Sequence, residues 1–151
     1  MSQSNFSSLI PGLNTNQLSL LFSSGKRVGF MNKKIKEKAD QLAKELIAQN
    51  PRPKKHASII IYKNTIVSAG VNRAKTHPLA QKYGYMFGEM HSELDAVRRI
   101  KPQSGLVLIN YRMNRFLQYR NSKPCCKCMP WCLALFKDIY YTTNDGLIRH
   151  A

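Results

Sequence analysis

The sequence predicts an α/β domain with a mixed sheet of four to five strands flanked by helices. Helical and strand patterns follow one another in the order α-β-β-α-β-α-β. The first two strands are joined by two residues only, which predicts an antiparallel hairpin. The later alternation of strand, helix and strand requires a crossover connection and therefore a parallel pair. At 151 residues, the chain has the length of one ordinary domain.

The first helix is predicted over residues 31–49. Asn32 is a suitable N-cap, and Asn50-Pro51-Arg52-Pro53 ends the helix. One apolar stripe at spacings of three and four consists of Ile35, Ala39, Leu42, Ala43, Leu46 and Ile47. The lysines between these positions are expected to form an exposed face.

Two β-branched runs, at 57–62 and 65–69, predict the hairpin, with Lys63-Asn64 as its turn. The following segment, 73–90, is expected to be irregular, basic and aromatic. Irregular stretches of this length inside a compact domain are usually functional.

The second half supplies the remaining elements. A helix is predicted from about residue 90 to 100 and is ended by Pro102. The apolar run at 106–111 indicates a central strand covered on both faces. A basic loop at 112–124, a helix at about 126–136 and a strand at 138–143 complete the order.

Composition restricts the classes of function. With 24 Lys and Arg against 8 Asp and Glu, the formal net charge is +16, which favours a polyanionic partner or an anionic nucleotide. No apolar run has the length of a transmembrane helix, so no membrane partner is expected. The 4 cysteines all lie between 125 and 132, which indicates metal binding rather than a disulfide framework and favours a cytoplasmic location.

Residues 1–25 lack acidic residues and are rich in Ser, Asn and Gln, so we expect a flexible N-terminal tail followed by the domain at 26–151. A homo-oligomer is compatible with the sequence.

The pair His91-Ser92-Glu93 and Pro124-Cys125-Cys126-Lys127-Cys128 matches the H-x-E…P-C-x-x-C signature of zinc deaminases acting on nucleobases. One imidazole and two thiolates hold Zn²⁺ through three ligands and leave a fourth position for water, whose pKa the metal lowers. A carboxylate beside the metal then moves protons to the ring nitrogen and the leaving amine. We therefore expect His91, Cys125 and Cys128 to be the zinc ligands and Glu93 the catalytic residue.

The spacing of these residues restricts where they lie. His91 and Glu93 reach one metal only from the first turn of their helix, and Pro124-Cys125 is expected to open the next one. Cys126 and Cys132 are interpreted as packing residues. The alternative is a structural zinc, with Glu93 as an ordinary helix N-terminal acid and His77 as a possible fourth ligand.

Together with Gly70-Val71-Asn72, these motifs resemble the CMP/dCMP deaminase superfamily over about residues 55–147, including its viral and phage members. The resemblance implies a three-layer cytidine-deaminase-like fold, with a five-strand sheet and the zinc site between the second and third helices. It also implies that Asn72 holds the sugar hydroxyl of the substrate. The chain departs from the family at Ser92, where alanine or cysteine is commoner, and at its end, where only 147–151 remain for a fifth strand and helix.

Further substrate contacts are expected from the two basic loops. His77 either contacts the target base or is a satisfied loop histidine. Arg120 and Lys123 are placed to bind a flanking phosphate, although a solvated loop is the alternative. Aromatic residues interleaved with basic ones suggest a stacking platform for a single strand, made of Tyr83, Tyr85, Phe87, Tyr119 and Trp131.

Three classes of function remain. The first is a deaminase that converts cytosine to uracil in single-stranded DNA or RNA, which the charge favours. The second is a deaminase of a free nucleotide such as dCMP, or of adenine in tRNA. The third is a non-catalytic zinc module that binds nucleic acid, which the presence of Glu93 opposes.

Overall fold

The computed structural model describes residues 31–86 and 88–151, so the expected tail at 1–25 and Phe87 lie outside the described residues. Four helices and five strands are formed in this part of the chain: α1 (Lys33–Gln49), β1 (Lys55–Tyr62), β2 (Thr65–Val71), α2 (Pro78–Lys82), α3 (Ser92–Val97), β3 (Val107–Met113), α4 (Cys128–Leu135), β4 (Asp138–Thr142) and β5 (Ile148–His150). None of the described helices is long and apolar enough to cross a bilayer.

The strands form one mixed sheet in the order β2-β1-β3-β4-β5. β1 is antiparallel to β2 and β3, whereas β3 and β4 are parallel, as the alternating second half predicts. The turn residues Lys63 and Asn64 both have positive φ, 48° and 59°, as in the tight turns that match the twist of a hairpin. The fifth strand has three residues and pairs antiparallel with β4.

Helices cover both faces of the sheet. On one face, the apolar stripe of α1 packs against Ile59, Ile109 and Tyr111 in one core cluster. On the other face, α3 and α4 pack against Ile60 and Leu108 in a second cluster. The sheet therefore lies between two helical layers. The predicted fold class, a mixed sheet flanked by helices, is confirmed.

The helix bounds differ from the prediction in three places. α1 agrees closely, and the Asn32 side chain accepts a hydrogen bond from the Lys34 N–H at 2.8 Å. α3 ends at Val97, because the backbone hydrogen bonds after it join residues three positions apart, such as the Ile100 N–H and the Val97 carbonyl at 3.1 Å. α4 begins at Cys128, two residues later than expected. The segment at 73–90 contains the short α2, whose signal was Pro78 at the first helical position.

α3 is held tightly against β2. A Cβ atom at Gly70 would lie 2.3 Å from the Ala96 nitrogen and 2.5 Å from the Ser92 oxygen. The buried Asp95 accepts hydrogen bonds from the Val71 N–H at 3.0 Å and from Arg98 at 2.8 Å. Burial acts to raise the pKa of Asp95, but these donors outweigh it and hold the pKa below its usual value. The first turn of α3 is thereby fixed over the sheet.

Candidate functional site

Three of the residues singled out in the sequence meet between α3 and α4. The Nδ1 atom of His91, the N-cap of α3, lies 3.6 Å from the Cys125 sulfur and 3.3 Å from the Cys128 sulfur. All three donor atoms lie within 4.8 Å of one another, a grouping that can hold a metal ion. Cys125 precedes α4, but its carbonyl accepts from the Met129 N–H at 2.8 Å, so the helical turn already begins there.

The geometry of this group is compatible with zinc. Tetrahedral coordination, with Zn–S of about 2.3 Å and Zn–N of about 2.0 Å, places sulfur and nitrogen about 3.5 Å apart. The two sulfur–nitrogen distances of 3.3 and 3.6 Å lie on either side of that value. Among residues 31–86 and 88–151, no fourth His, Cys, Asp or Glu joins the group. His77 instead caps α2, where its Nδ1 accepts from the Leu79 N–H at 3.1 Å.

The orientation of His91 is set by Glu89. Its carboxylate forms a short hydrogen bond with Nε2 of His91. A carboxylate at that nitrogen keeps the proton there and leaves Nδ1 free, which is the arrangement typical of metal-binding histidines. Sequence reasoning missed Glu89, although an acidic residue two positions before the histidine was a visible signal.

Glu93 lies beside the group without joining it. Its side chain is only 6% exposed, and its Oε1 accepts a hydrogen bond from the Asn110 amide at 2.7 Å. The Asn110 oxygen in turn accepts from the Ser58 hydroxyl at 2.7 Å, and Ser58 is 2.7 Å from Ser92. A buried network across β1, β3 and α3 therefore holds the carboxylate. Asn110 was missed, and its signal was a polar residue inside an otherwise apolar central strand.

Cys128 is fully buried, at the start of α4. Burial and, secondarily, the Glu93 carboxylate raise the pKa of its thiol, so the thiolate requires a cation beside it. Cys132, one turn later, packs in the second core cluster as expected. Cys126 is exposed, so the expectation that it packs was wrong: the turn before α4 directs it away from the core.

A cavity of about 420 Å³ opens in front of the group, within the range of about 300–1,000 Å³ typical of small-molecule sites. His91, Glu93 and Cys125 line it, with Asn72. Four basic residues that line it are Arg52, Lys54, Arg73 and Lys123. Of these, only Lys123 was singled out from the sequence, because the other three are far from the motif in the chain and are brought to it by the ends of β1 and β2.

Asn72 contacts the backbone around the cavity. Its Oδ1 accepts from the Asn50 amide at 2.7 Å and from the His56 N–H at 2.9 Å, and its amide donates to the Lys54 carbonyl at 2.6 Å. One amide hydrogen remains for a ligand. The proposed contact with a sugar hydroxyl thus stays a prediction, made from a well-fixed side chain.

Two features of the cavity wall were not foreseen. Burial, followed by the charges of Arg112, His91 and Lys54, lowers the pKa of His56 to about 4, so this imidazole is neutral at physiological pH. The Nε atom of Arg52 is buried and has no hydrogen-bond partner among the residues that the structure describes. An unsatisfied cationic donor beside a cavity favours an anionic ligand.

Tyr119 and Arg120 are placed elsewhere. They line a second cavity of about 620 Å³, with residues of the β4–β5 turn, and neither lines the first one. Tyr119 is held close to Asp40, and burial, followed by that charge, raises the pKa of its hydroxyl to about 12. Their proposed substrate contacts, like that of His77, would therefore lie outside the first cavity.

The fold is similar to that of one solved structure, the dCMP deaminase from the cyanophage S-TIM5 in apo form. The two chains superpose with a TM-score of 0.50 and 22% sequence identity, over 74% of this chain and 84% of the other. No protein-family model matches the sequence, and no curated protein matches it. The chain therefore shares the fold of a dCMP deaminase, and the fold that the resemblance implies is confirmed.

Proposed function

We propose that this protein catalyses the zinc-dependent hydrolytic deamination of cytosine to uracil in a nucleotide. The observation that carries the proposal is the convergence of His91, Cys125 and Cys128 beside the buried Glu93. His91, Cys125 and Glu93 line the wall of an open cavity. When bound by His91, Cys125 and Cys128, zinc supplies a Lewis acid that lowers the pKa of a water molecule.

Glu93 performs the proton transfers in this proposal. Its carboxylate would take one proton from the attacking water and deliver it to the ring nitrogen, and would then take the second proton, from the hydroxyl group now bonded to the ring carbon, and deliver it to the departing amine. The hydrogen bond from Asn110 keeps the carboxylate in one orientation. The alternative of a structural zinc is less favoured, because a carboxylate with 6% exposure beside an open cavity is not an ordinary surface acid at a helix start.

The basic wall favours a phosphorylated substrate. Arg52, Lys54 and Lys123 line the same cavity as Glu93, so a base at Glu93 would have its phosphate near them. The net charge of +16 favours cytosine in a single strand, because each neutralised phosphate releases counterions. The second candidate is free dCMP, which the similarity to the cyanophage enzyme favours.

The first experiment replaces the catalytic carboxylate. Glu93→Ala is expected to bind zinc with the wild-type stoichiometry and to lose deamination, because the donor set is intact while the proton carrier is gone. Glu37→Ala, on the exposed side of α1, is the matched control and is expected to be fully active. Deamination that persists in Glu93→Ala would refute the assignment.

The second experiment identifies the substrate. The zinc-loaded protein is incubated separately with dCMP, a cytosine-containing DNA oligonucleotide and tRNA, and base conversion is measured by mass spectrometry. Conversion of the oligonucleotide, with an affinity that falls steeply with salt, supports the polymer substrate. Conversion of dCMP alone assigns the free nucleotide, and conversion of adenine in tRNA would contradict the proposed base.

A further inference from the structure

An aromatic residue that is not part of the cavity wall contacts the metal-binding group. Tyr85, in the segment between α2 and α3, is 5% exposed and does not line the cavity of about 420 Å³. Its hydroxyl oxygen lies 2.6 Å from the Cys128 sulfur. Its ring lies 4.6 Å from that of His91, measured between centroids. Tyr85 therefore touches two of the three grouped residues.

The direction of the hydrogen bond from Tyr85 follows from its second partner. The indole Nε1–H of Trp131 donates to the Tyr85 hydroxyl oxygen at 3.2 Å. An indole nitrogen can only donate, so the Tyr85 oxygen accepts this bond and its own hydrogen is left for Cys128. A cysteine that binds zinc is a thiolate and has no hydrogen of its own, so its sulfur is an acceptor.

Trp131 lies three residues after Cys128 on α4, so the same helix positions the thiolate and the donor that fixes Tyr85. Tyr83, which is 41% exposed, packs on the Trp131 ring with centroids 5.5 Å apart. The chain of contacts from the surface to the candidate ligand is thus Tyr83, Trp131, Tyr85 and Cys128. Tyr85 and Trp131, which were expected to belong to a stacking platform for a single strand, instead form this contact chain towards Cys128.

We propose that Tyr85, fixed by Trp131, is a positioning residue that donates a hydrogen bond to the Cys128 thiolate and thereby strengthens zinc binding. The proposal rests on the proposed function for the identity of the metal. A donor to a buried thiolate stabilises its negative charge, since water cannot reach the sulfur to do so. It also withdraws electron density from the sulfur, which leaves the metal more electrophilic.

Tyr85→Phe tests the proposal because it removes the hydroxyl and keeps the ring. Zinc affinity, measured by competition with a chromophoric chelator, is expected to fall about 10- to 100-fold, the usual effect of losing an outer partner of a metal ligand. In the Co²⁺-substituted protein, the thiolate-to-metal charge-transfer band is expected to shift to longer wavelength, because the sulfur becomes more electron-rich. Tyr83→Phe is the matched control and is expected to change neither quantity.

A second variant keeps the test informative if Tyr85→Phe fails to fold. Trp131→Phe keeps an aromatic ring but removes the indole donor, and a smaller loss of zinc affinity is expected. The proposal would be overturned if Tyr85→Phe bound zinc with wild-type affinity and showed an unshifted charge-transfer band. If Tyr85→Phe does not fold, wild-type zinc affinity in Trp131→Phe would overturn it instead. Neither measurement involves base conversion. The proposed deamination can therefore be refuted while this inference holds, and this inference can be refuted while the proposed deamination holds.

Discussion

Replacement of Asn110 by alanine tests whether the buried network positions the Glu93 carboxylate for its proposed catalytic role. Asn110 is 2% exposed, and its side chain links Glu93 to Ser58 through hydrogen bonds of 2.7 Å on both sides, whereas the parallel link through Ser92 reaches Glu93 only at 3.4 Å. A hydrogen bond to a charged group contributes about 1.5–3 kcal/mol. If that energy is lost from the transition state alone, kcat falls about 10- to 150-fold.

The assay requires a variant of similar stability that keeps the bond to Glu93. Ser58→Ala removes the partner on the other side of Asn110 and leaves the Asn110–Glu93 contact in place. Both variants leave a buried polar group unsatisfied, at a cost of about 1–3 kcal/mol in the free energy of unfolding. Thermal unfolding, zinc content and the rate of cytosine conversion are measured for both.

Comparison of the two variants separates positioning from stability. We expect Asn110→Ala to lose far more kcat than Ser58→Ala, with KM and zinc content close to wild type in both. Equal losses of kcat in the two variants would show that the network acts only through stability. A kcat within twofold of wild type in Asn110→Ala would refute the positioning role.

Two further predictions concern the frame of the site. Gly70→Ala places a Cβ 2.3 Å from the Ala96 nitrogen, so we expect the free energy of unfolding to fall by about 1–3 kcal/mol or more, and an unchanged melting temperature would contradict the close packing. His56 has a pKa of about 4 in the folded protein, against 6.5 in the unfolded chain. Between pH 6.5 and pH 4 the unfolded state therefore binds more protons, and the free energy of unfolding falls as the pH drops through this range. The wild type is expected to lose about 2 kcal/mol more than His56→Gln between pH 8 and pH 5 in denaturant unfolding, and parallel losses would contradict this.

Local patterns determined much of the fold. The stripe of α1 and the hairpin at Lys63-Asn64 depend on residues close together in the chain, where periodicity and turn chemistry act directly. The parallel β3–β4 pair follows from the strand-helix-strand order, which requires a crossover connection. The short α2 and the late start of α4 were missed, because the bounds of short helices depend on which backbone groups find partners in the folded protein.

The sequence by itself also determined the residues of the candidate metal site, since the spacing of His91, Cys125 and Cys128 restricts how one ion can be held. Only the tertiary structure decided what surrounds them. Asn110 contacts Glu93 because of strand pairing, and Tyr85 contacts Cys128 because of loop packing. The basic residues before β1, Arg52 and Lys54, line the cavity because the sheet places the start of β1 beside it. Such contacts join segments that are distant in the chain and form only when the elements pack on the two faces of the sheet, so a local sequence pattern does not predict them.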